Sequence, residues 1–179
     1  MNIYQLKITL KHIRPQIWRR IQVPADIKLD RLHDILQAAM GWEDCHLHQF
    51  IADNTYYGIP DPDFPDNIRN ESNVRLDKIA QPGGTLIYEY DFGDSWAHEI
   101  EIEKMLPPEK DQRYPVCLAG KRACPPEDCG GFPGYMRMLE ILSNPGDEEY
   151  EEMREWAGED FDPEAFDLVE TNKALWRLR

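Results

Sequence analysis

Residues 88–103, YEYDFGDSWAHEIEIE, set Asp91, Asp94, Trp96 and His98 on and around a tight turn, and the cassette CLAGKRACPPEDCGG beginning at Cys117 adds Cys117, Cys124, Glu127, Asp128 and Cys129. Carboxylates, thiols and an imidazole at this density mark a candidate site. Asp91, Asp94, His98, Glu127 and Asp128 are the residue types a metal-dependent hydrolase uses to hold an ion and move protons. Cys117, Cys124 and Cys129, joined by His98 or His46, could form a Cys₃His zinc site that ties down a loop. Structural zinc usually rests on a CxxC knuckle, which the chain lacks, so free thiols are the competing reading. His46 and His48 stand two apart, and on a strand that spacing directs both imidazoles to one face, as metal binding requires.

Each of these residues also has a purely structural role open to it. Asp91-Phe92-Gly93-Asp94 matches the metal-binding DFG of protein kinases, but the chain has no phosphate loop or HRD-type catalytic loop. The tetrapeptide reads instead as a turn, with a positive backbone angle at Gly93 and Asp91 or Asp94 accepting backbone N–H groups. His98 alternates with Glu99 and shares a face with Trp96, Ile100 and Ile102, which suits a buried histidine satisfied by one hydrogen bond. Pro125-Pro126-Glu127-Asp128 reads either as a rigid turn or as a carboxylate pair folded over the DFGD turn.

The elements that must carry these residues follow from hydrophobic period. Tyr4, Leu6, Ile8 and Leu10 alternate with polar residues, and so do Ile17, Arg19, Ile21 and Val23 beyond Pro15, predicting a hairpin. Leu29, Leu32, Ile35, Leu36, Ala39 and Met40 recur at helical spacing up to Gly41, predicting an amphipathic helix packed on it. Residues 46–52 predict a further strand, and 57–73, rich in Pro, Asp and Asn, a long loop. A second hairpin pairs 85–92 with 96–103. Residues 107–133 read as an irregular Cys/Pro/Gly excursion and 134–179 as helical, with a last helix capped by Asp162 and started by Pro163. The expectation is one α+β domain over 1–179. Its core, 1–106, holds a mixed or antiparallel sheet of about five strands with one helix packed on it, followed by a helical carboxy-terminal subdomain.

Composition bounds the function. The formal charge of −14, from 34 acidic against 20 basic residues, disfavours contact with phosphate backbones or anionic membranes. Lys11, His12, Arg14, Arg19 and Arg20, interleaved with Ile13, Ile17 and Trp18, make the single basic and aromatic patch, open to DNA or to an acidic partner. No apolar run approaches the ~20 residues of a membrane span, and the first residues carry no signal-peptide pattern, so a cytoplasmic location with reduced thiols is expected.

YQLKITLKHIRPQIWRRIQVPADIKLDRLHDILQAAMGWEDCHLHQF, YEYDFGDSWAHEI, CLAGKRACPPEDCGG and EDFDPEAFD, in that order, resemble the plasmid pRiA4b ORF-3-like family over nearly the whole chain. The resemblance implies an uncharacterised, sometimes mobile-element-associated protein and carries no catalytic residues with it. A resolvase, as some members are labelled, needs an activated serine or tyrosine beside an arginine-rich site, and none assembles here. Three functions follow as expectations: a non-enzymatic binding or accessory module with a protein partner, a metal-dependent hydrolase-like enzyme built on the DFGD, His98 and PPED corner with zinc as its candidate cofactor, and a DNA-associated accessory protein using the basic hairpin.

Overall fold

A computed structural model describes residues 2–61 and 67–178. The two predicted hairpins form as β1 (Ile3–Leu10) with β2 (Trp18–Pro24), and β6 (Thr85–Tyr90) with β7 (Trp96–Leu106). Their apolar alternation fixes which face is buried, because a slip of one residue would turn Leu6, Ile8, Leu86, Tyr88, Ile100 and Ile102 to solvent. The hairpins join edge to edge through β1 and β7, with Ile8 opposite Ile100. Between them in sequence lies α1 (Leu29–Met40), closed by Gly41 at φ 102, whose N–H bonds to the Gln37 carbonyl. Glycine is required there by the left-handed conformation.

The sheet holds eight strands where about five were expected. β3 (His48–Ala52) and β4 (Thr55–Gly58) add a third hairpin, and β5 (Ile68–Asn70) pairs parallel to β4. These occupy part of the expected 57–73 loop, whose residues 62–66 lie outside the described region. β8 (Val116–Lys121) sits inside the stretch expected to be irregular and pairs with β2, giving the order β5-β4-β3-β6-β7-β1-β2-β8. The three extra strands are four, three and six residues long at the sheet edges, too short for a period-two signal to stand out.

A 3₁₀ turn at Glu71–Asn73 and α2 (Leu76–Ile79) precede β6. The helical end comprises α3 (Gly131–Leu142), α4 (Tyr150–Ala157) and α5 (Leu168–Arg177). The last begins five residues later than Asp162-Pro163 suggested: Asp167 is its cap, accepting from the N–H groups of Val169 and Glu170, while Asp162 accepts from Glu164 N in a turn. Asn172 of α5 brackets the β8 backbone, accepting from Cys117 N at 2.8 Å and donating to Cys117 O at 3.0 Å. The amide thus covers an edge that would otherwise be open to another strand.

The basic patch survives folding only in part as a solvated face, with His12 and Arg14 exposed. Arg19 is 3% exposed; its guanidinium donates to the carbonyls of Ala39, Trp18 and Lys121 and lies 4.5 Å over the Phe166 ring. Arg20 makes a two-pronged pair with Glu103 of β7. Two of the five basic positions expected to be free for DNA are therefore committed inside the molecule. Among the described residues no helix is long and apolar enough to cross a membrane.

Candidate metal centre

Three loops meet at one end of the central strands. The α1–β3 loop brings Cys45 and His46, the β6–β7 turn brings Asp91 and Asp94, and the β8–α3 loop brings Glu127 and Asp128. The PPED loop does fold over the DFGD turn, because Asp94 Oδ2 accepts from Gly130 N at 3.1 Å. The chain reaches this geometry with left-handed φ angles at Asp44, Asp91, Ser95 and Asp128, a conformation that aspartate tolerates better than most residues. Gly93, expected to supply the positive angle in the turn, does not; Asp91 and Ser95 flank it and do.

His46 Nε2 is the common vertex of the site. It lies 3.6 Å from Asp91 Oδ2, 3.8 Å from Glu127 Oε2 and 3.1 Å from Asp128 Oδ1. Despite these neighbours, His46 Nε2 and Glu127 Oε2 are buried without a hydrogen-bond partner among the described residues. The 3.1 Å approach of Asp128 does not meet hydrogen-bond geometry.

Each buried carboxylate divides its oxygens between support and site. Asp91 Oδ1 accepts from Gly93 N and Asp94 N, leaving Oδ2 to face His46. Glu127 Oε1 accepts from Glu43 N at 2.8 Å and from the Tyr90 hydroxyl at 3.0 Å, leaving Oε2 to face His46. Burial, its largest cause, raises the Tyr90 pKa, so the hydroxyl remains a donor, and it also receives Cys45 N. This is how outer groups orient metal ligands, by occupying the atoms the ion does not use.

Two donor sets share His46: one with Asp91 and Asp128, the other with Cys45 and Glu127, each with its ligand atoms within 4.8 Å of one another. Ligands at 2.0–2.2 Å from a tetrahedral or octahedral ion stand roughly 3–3.5 Å apart, close to the separations found around His46. Nitrogen and oxygen donors in this ratio suit zinc, manganese or ferrous iron. Cys45 had no sequence signal beyond its place beside His46.

The other candidates are placed elsewhere. The strand expected over 46–52 begins only at His48, so His46 and His48 do not share a strand face. His48 instead bonds the buried carboxylate of Glu71 at 3.0 Å and stacks on His33 at 3.5 Å. Cys117, Cys124 and Cys129 fall in no metal-competent group among the described residues, and burial raises all three thiol pKa values, that of Cys129 to about 12. Among the described residues these thiols and a histidine do not come together as a Cys₃His ligand set. Burial also removes His98 from the catalytic and ligand candidates: it is fully inside, its Nδ1–H donates to Tyr88 O at 3.2 Å and its Nε2 accepts from Trp42 Nε1 at 3.1 Å. Both nitrogens are used, and the ring is neutral.

His98 nevertheless matters to the site, because Trp42 opens the loop that carries His46. Behind that loop, Tyr88 receives Gln37 Nε2 and bonds His33 Nδ1, His33 Nε2 donates to Asp44 Oδ1, and Gln37 Oε1 accepts from Asp44 N. Period-based reading assigned the α1 residues Leu29 to Met40 to a core face; the polar positions His33 and Gln37, four apart, carried the missed signal. Trp42→Phe leaves the buried His98 Nε2 without its donor and is expected to lower stability by about 1–3 kcal/mol in urea unfolding at pH 7. An unchanged midpoint would show that the bond carries no load.

Comparison with known proteins places this geometry in a family. The chain is 40% identical over 177 residues, 97% of its length and 91% of the relative's, to the uncharacterized protein y4hQ of Sinorhizobium fredii strain NBRC 101917 / NGR234. The crystal structure of a protein of unknown function, MM3350 from Methanosarcina mazei Go1, is 43% identical and superposes with a TM-score of 0.89, covering 94% of this chain and 97% of that one. The model of the plasmid pRiA4b ORF-3-like family matches residues 2–170, and the chain belongs to that family.

Proposed function

We propose that the protein binds one divalent transition-metal ion at His46, Asp91 and Asp128 and that the centre supports hydrolytic chemistry. The observation that carries the reading is the buried, unpartnered His46 Nε2 ringed by three carboxylate oxygens. A buried polar atom left without a partner costs free energy, and a metal ion accepting its lone pair removes that cost. Three protein ligands leave coordination positions open for water and substrate, as hydrolytic centres require. Glu127, outside the Asp91–Asp128 set and held by Tyr90 through Oε1, would be the carboxylate whose free Oε2 is placed to take a proton from such a water. The preference for a non-enzymatic module, drawn from the lack of a complete catalytic constellation in sequence, yields to this arrangement because His46 supplies the vertex that His98 could not.

The test is elemental analysis of untagged protein purified without chelators. One equivalent of zinc, manganese or iron per chain is expected, falling to none in His46→Ala and Asp91→Asn but retained in Cys45→Ser. Wild-type protein that neither carries nor takes up a stoichiometric metal on dialysis would sink the proposal. Retention in Asp91→Asn with loss in Cys45→Ser would move the ion to the Cys45–Glu127 set. Bound metal also stabilises the fold by mass action, by about 2.7 kcal/mol at a hundredfold excess over Kd. Chelation of such protein is expected to lower Tm by roughly 5–10 °C.

A further inference from the structure

The geometry points to a second occupant for this corner: a thiophilic cation of the cadmium class binds at Cys45, His46 and Glu127 and thereby excludes the ion from Asp91 and Asp128. One ligand atom from each of these three residues, a sulfur, a nitrogen and an oxygen, lies within 4.8 Å of the other two. A thiolate at about 2.3 Å and a nitrogen or carboxylate oxygen at about 2.0–2.2 Å from a tetrahedral ion stand roughly 3.5 Å apart, so a modest closure completes the set. Cys45 is the exposed one of the four cysteines, and burial raises the pKa of the other three thiols, so an arriving ion meets Cys45 first. One phenol positions both outer donors. The Tyr90 hydroxyl receives Cys45 N at 3.0 Å, donates to Glu127 Oε1 at 3.0 Å and lies 3.7 Å from Cys45 Sγ. Glu127 Oε2 is buried without a hydrogen-bond partner among the described residues and is the oxygen left for the ion.

The identity of the ion selects the donor set. Asp91 and Asp128 add two hard oxygens to the imidazole, whereas Cys45 adds a soft, polarisable sulfur, and thiolate ligands favour soft ions. His46 Nε2 lies 3.6 Å from Asp91 Oδ2 and 3.8 Å from Glu127 Oε2, and its one lone pair serves one ion at a time. On binding, the Cys45 thiol gives its proton to solvent as the sulfur–metal bond forms, and the thiolate and the Glu127 carboxylate together neutralise the two charges of the ion. Glu127 Oε2 is also the oxygen that takes a proton from water in the hydrolytic reading. The soft-ion form therefore lacks both the open centre and its base, and is an inhibited state. Only that consequence and the exclusion rest on the hydrolytic reading; the site itself stands on Cys45, His46 and Glu127.

Full-length untagged protein, freed of metal with a chelator and kept reduced with a phosphine, is titrated with Cd²⁺ in one arm and Mn²⁺ in another. Cd²⁺ is expected to raise a sulfur-to-metal charge-transfer absorption in the ultraviolet that saturates at one equivalent, and Mn²⁺ to raise none. Cys45→Ser, at an exposed position, is expected to abolish the band and to weaken Cd²⁺ binding roughly tenfold or more. Asp128→Asn, also exposed, is expected to keep the band and to lose Mn²⁺. In wild-type protein loaded with Mn²⁺, one equivalent of Cd²⁺ is expected to release the manganese, seen as the return of the free ion's paramagnetic resonance signal. A Cd²⁺ band in protein that binds no Mn²⁺ would count against the Asp91–Asp128 centre and leave this site standing. Absence of the band in wild type, its persistence in Cys45→Ser, its loss in Asp128→Asn, or manganese retained beside bound Cd²⁺ would overturn the inference.

Discussion

Gly134→Ala is expected to destabilise the protein by about 3 kcal/mol and to displace the loop that carries Glu127 and Asp128. Intrinsic propensity argues the opposite sign, since alanine favours a helix interior by about 1 kcal/mol over glycine. Packing decides it. A Cβ at Gly134 would lie 1.8 Å from the Cys129 carbonyl oxygen and 2.8 Å from its carbon, and backbone cannot rotate away as a side-chain tip can. The Cys129 carbonyl belongs to the same short loop as Glu127 and Asp128, and the loop is pinned beyond it by the Gly130 N–H on Asp94. Either α3 moves or the loop does, and both routes pull Asp128 from His46. Thermal unfolding should show a loss of roughly 6–12 °C, and metal content should fall with it. A neutral or stabilising Gly134→Ala would show that the close approach is not part of the folded protein.

The same corner shows what a sequence can and cannot disclose. Asp91, Glu127 and Asp128 were legible because they stand beside turn signals that forced them to the ends of elements. His46 was legible as a metal-type residue but was assigned to a strand face, since nothing local distinguishes the last loop residues from the first strand residues. His98 drew attention by its company in DFGDSWAH, yet period-two alternation had already put it among Trp96, Ile100 and Ile102, and that signal was the correct one. The three cysteines form no common ligand group among the described residues; Cys117 sits on β8 and is tied to Asn172, while Cys129 lies beside α3. The last helix shows competition between signals. Asp162-Pro163-Glu164 and Asp167 both suit a helix start, and long-range packing chose the second, so that Phe166 could lie under Arg19. Local chemistry singled out most of the residues that meet at this corner, but their convergence depends on three loops brought together by sheet order, which no local pattern encodes.

Between pH 6.5 and 5, stability is expected to fall by about 2 kcal/mol through His98 alone. Burial, the largest cause, pushes the His98 pKa down to about 4 in the folded protein, against about 6.5 in an unfolded chain. Above 6.5 neither state is protonated and the neutral ring contributes its full stability. As pH falls below 6.5 the unfolded chain takes up a proton that the folded protein refuses, and each unit costs about 1.4 kcal/mol until the folded pKa is reached. The refusal has a structural cause: Nε2 must stay unprotonated to receive Trp42, and a proton there would set two donors against each other inside the core. His33, its pKa also lowered chiefly by burial, steepens the same slope. Carboxylates held low by arginine, such as Glu103 beside Arg20, lose their contribution only at lower pH, outside this window. Urea unfolding at half-unit steps from pH 7 to 5 measures the slope, and His98→Gln, which cannot titrate, is expected to start from lower stability and lose less of it. Equal slopes in the two proteins would assign the acid sensitivity to other groups. Because His98 holds Trp42, and Trp42 begins the loop bearing His46, protonation of this ring is expected to loosen that loop before the sheet itself gives way.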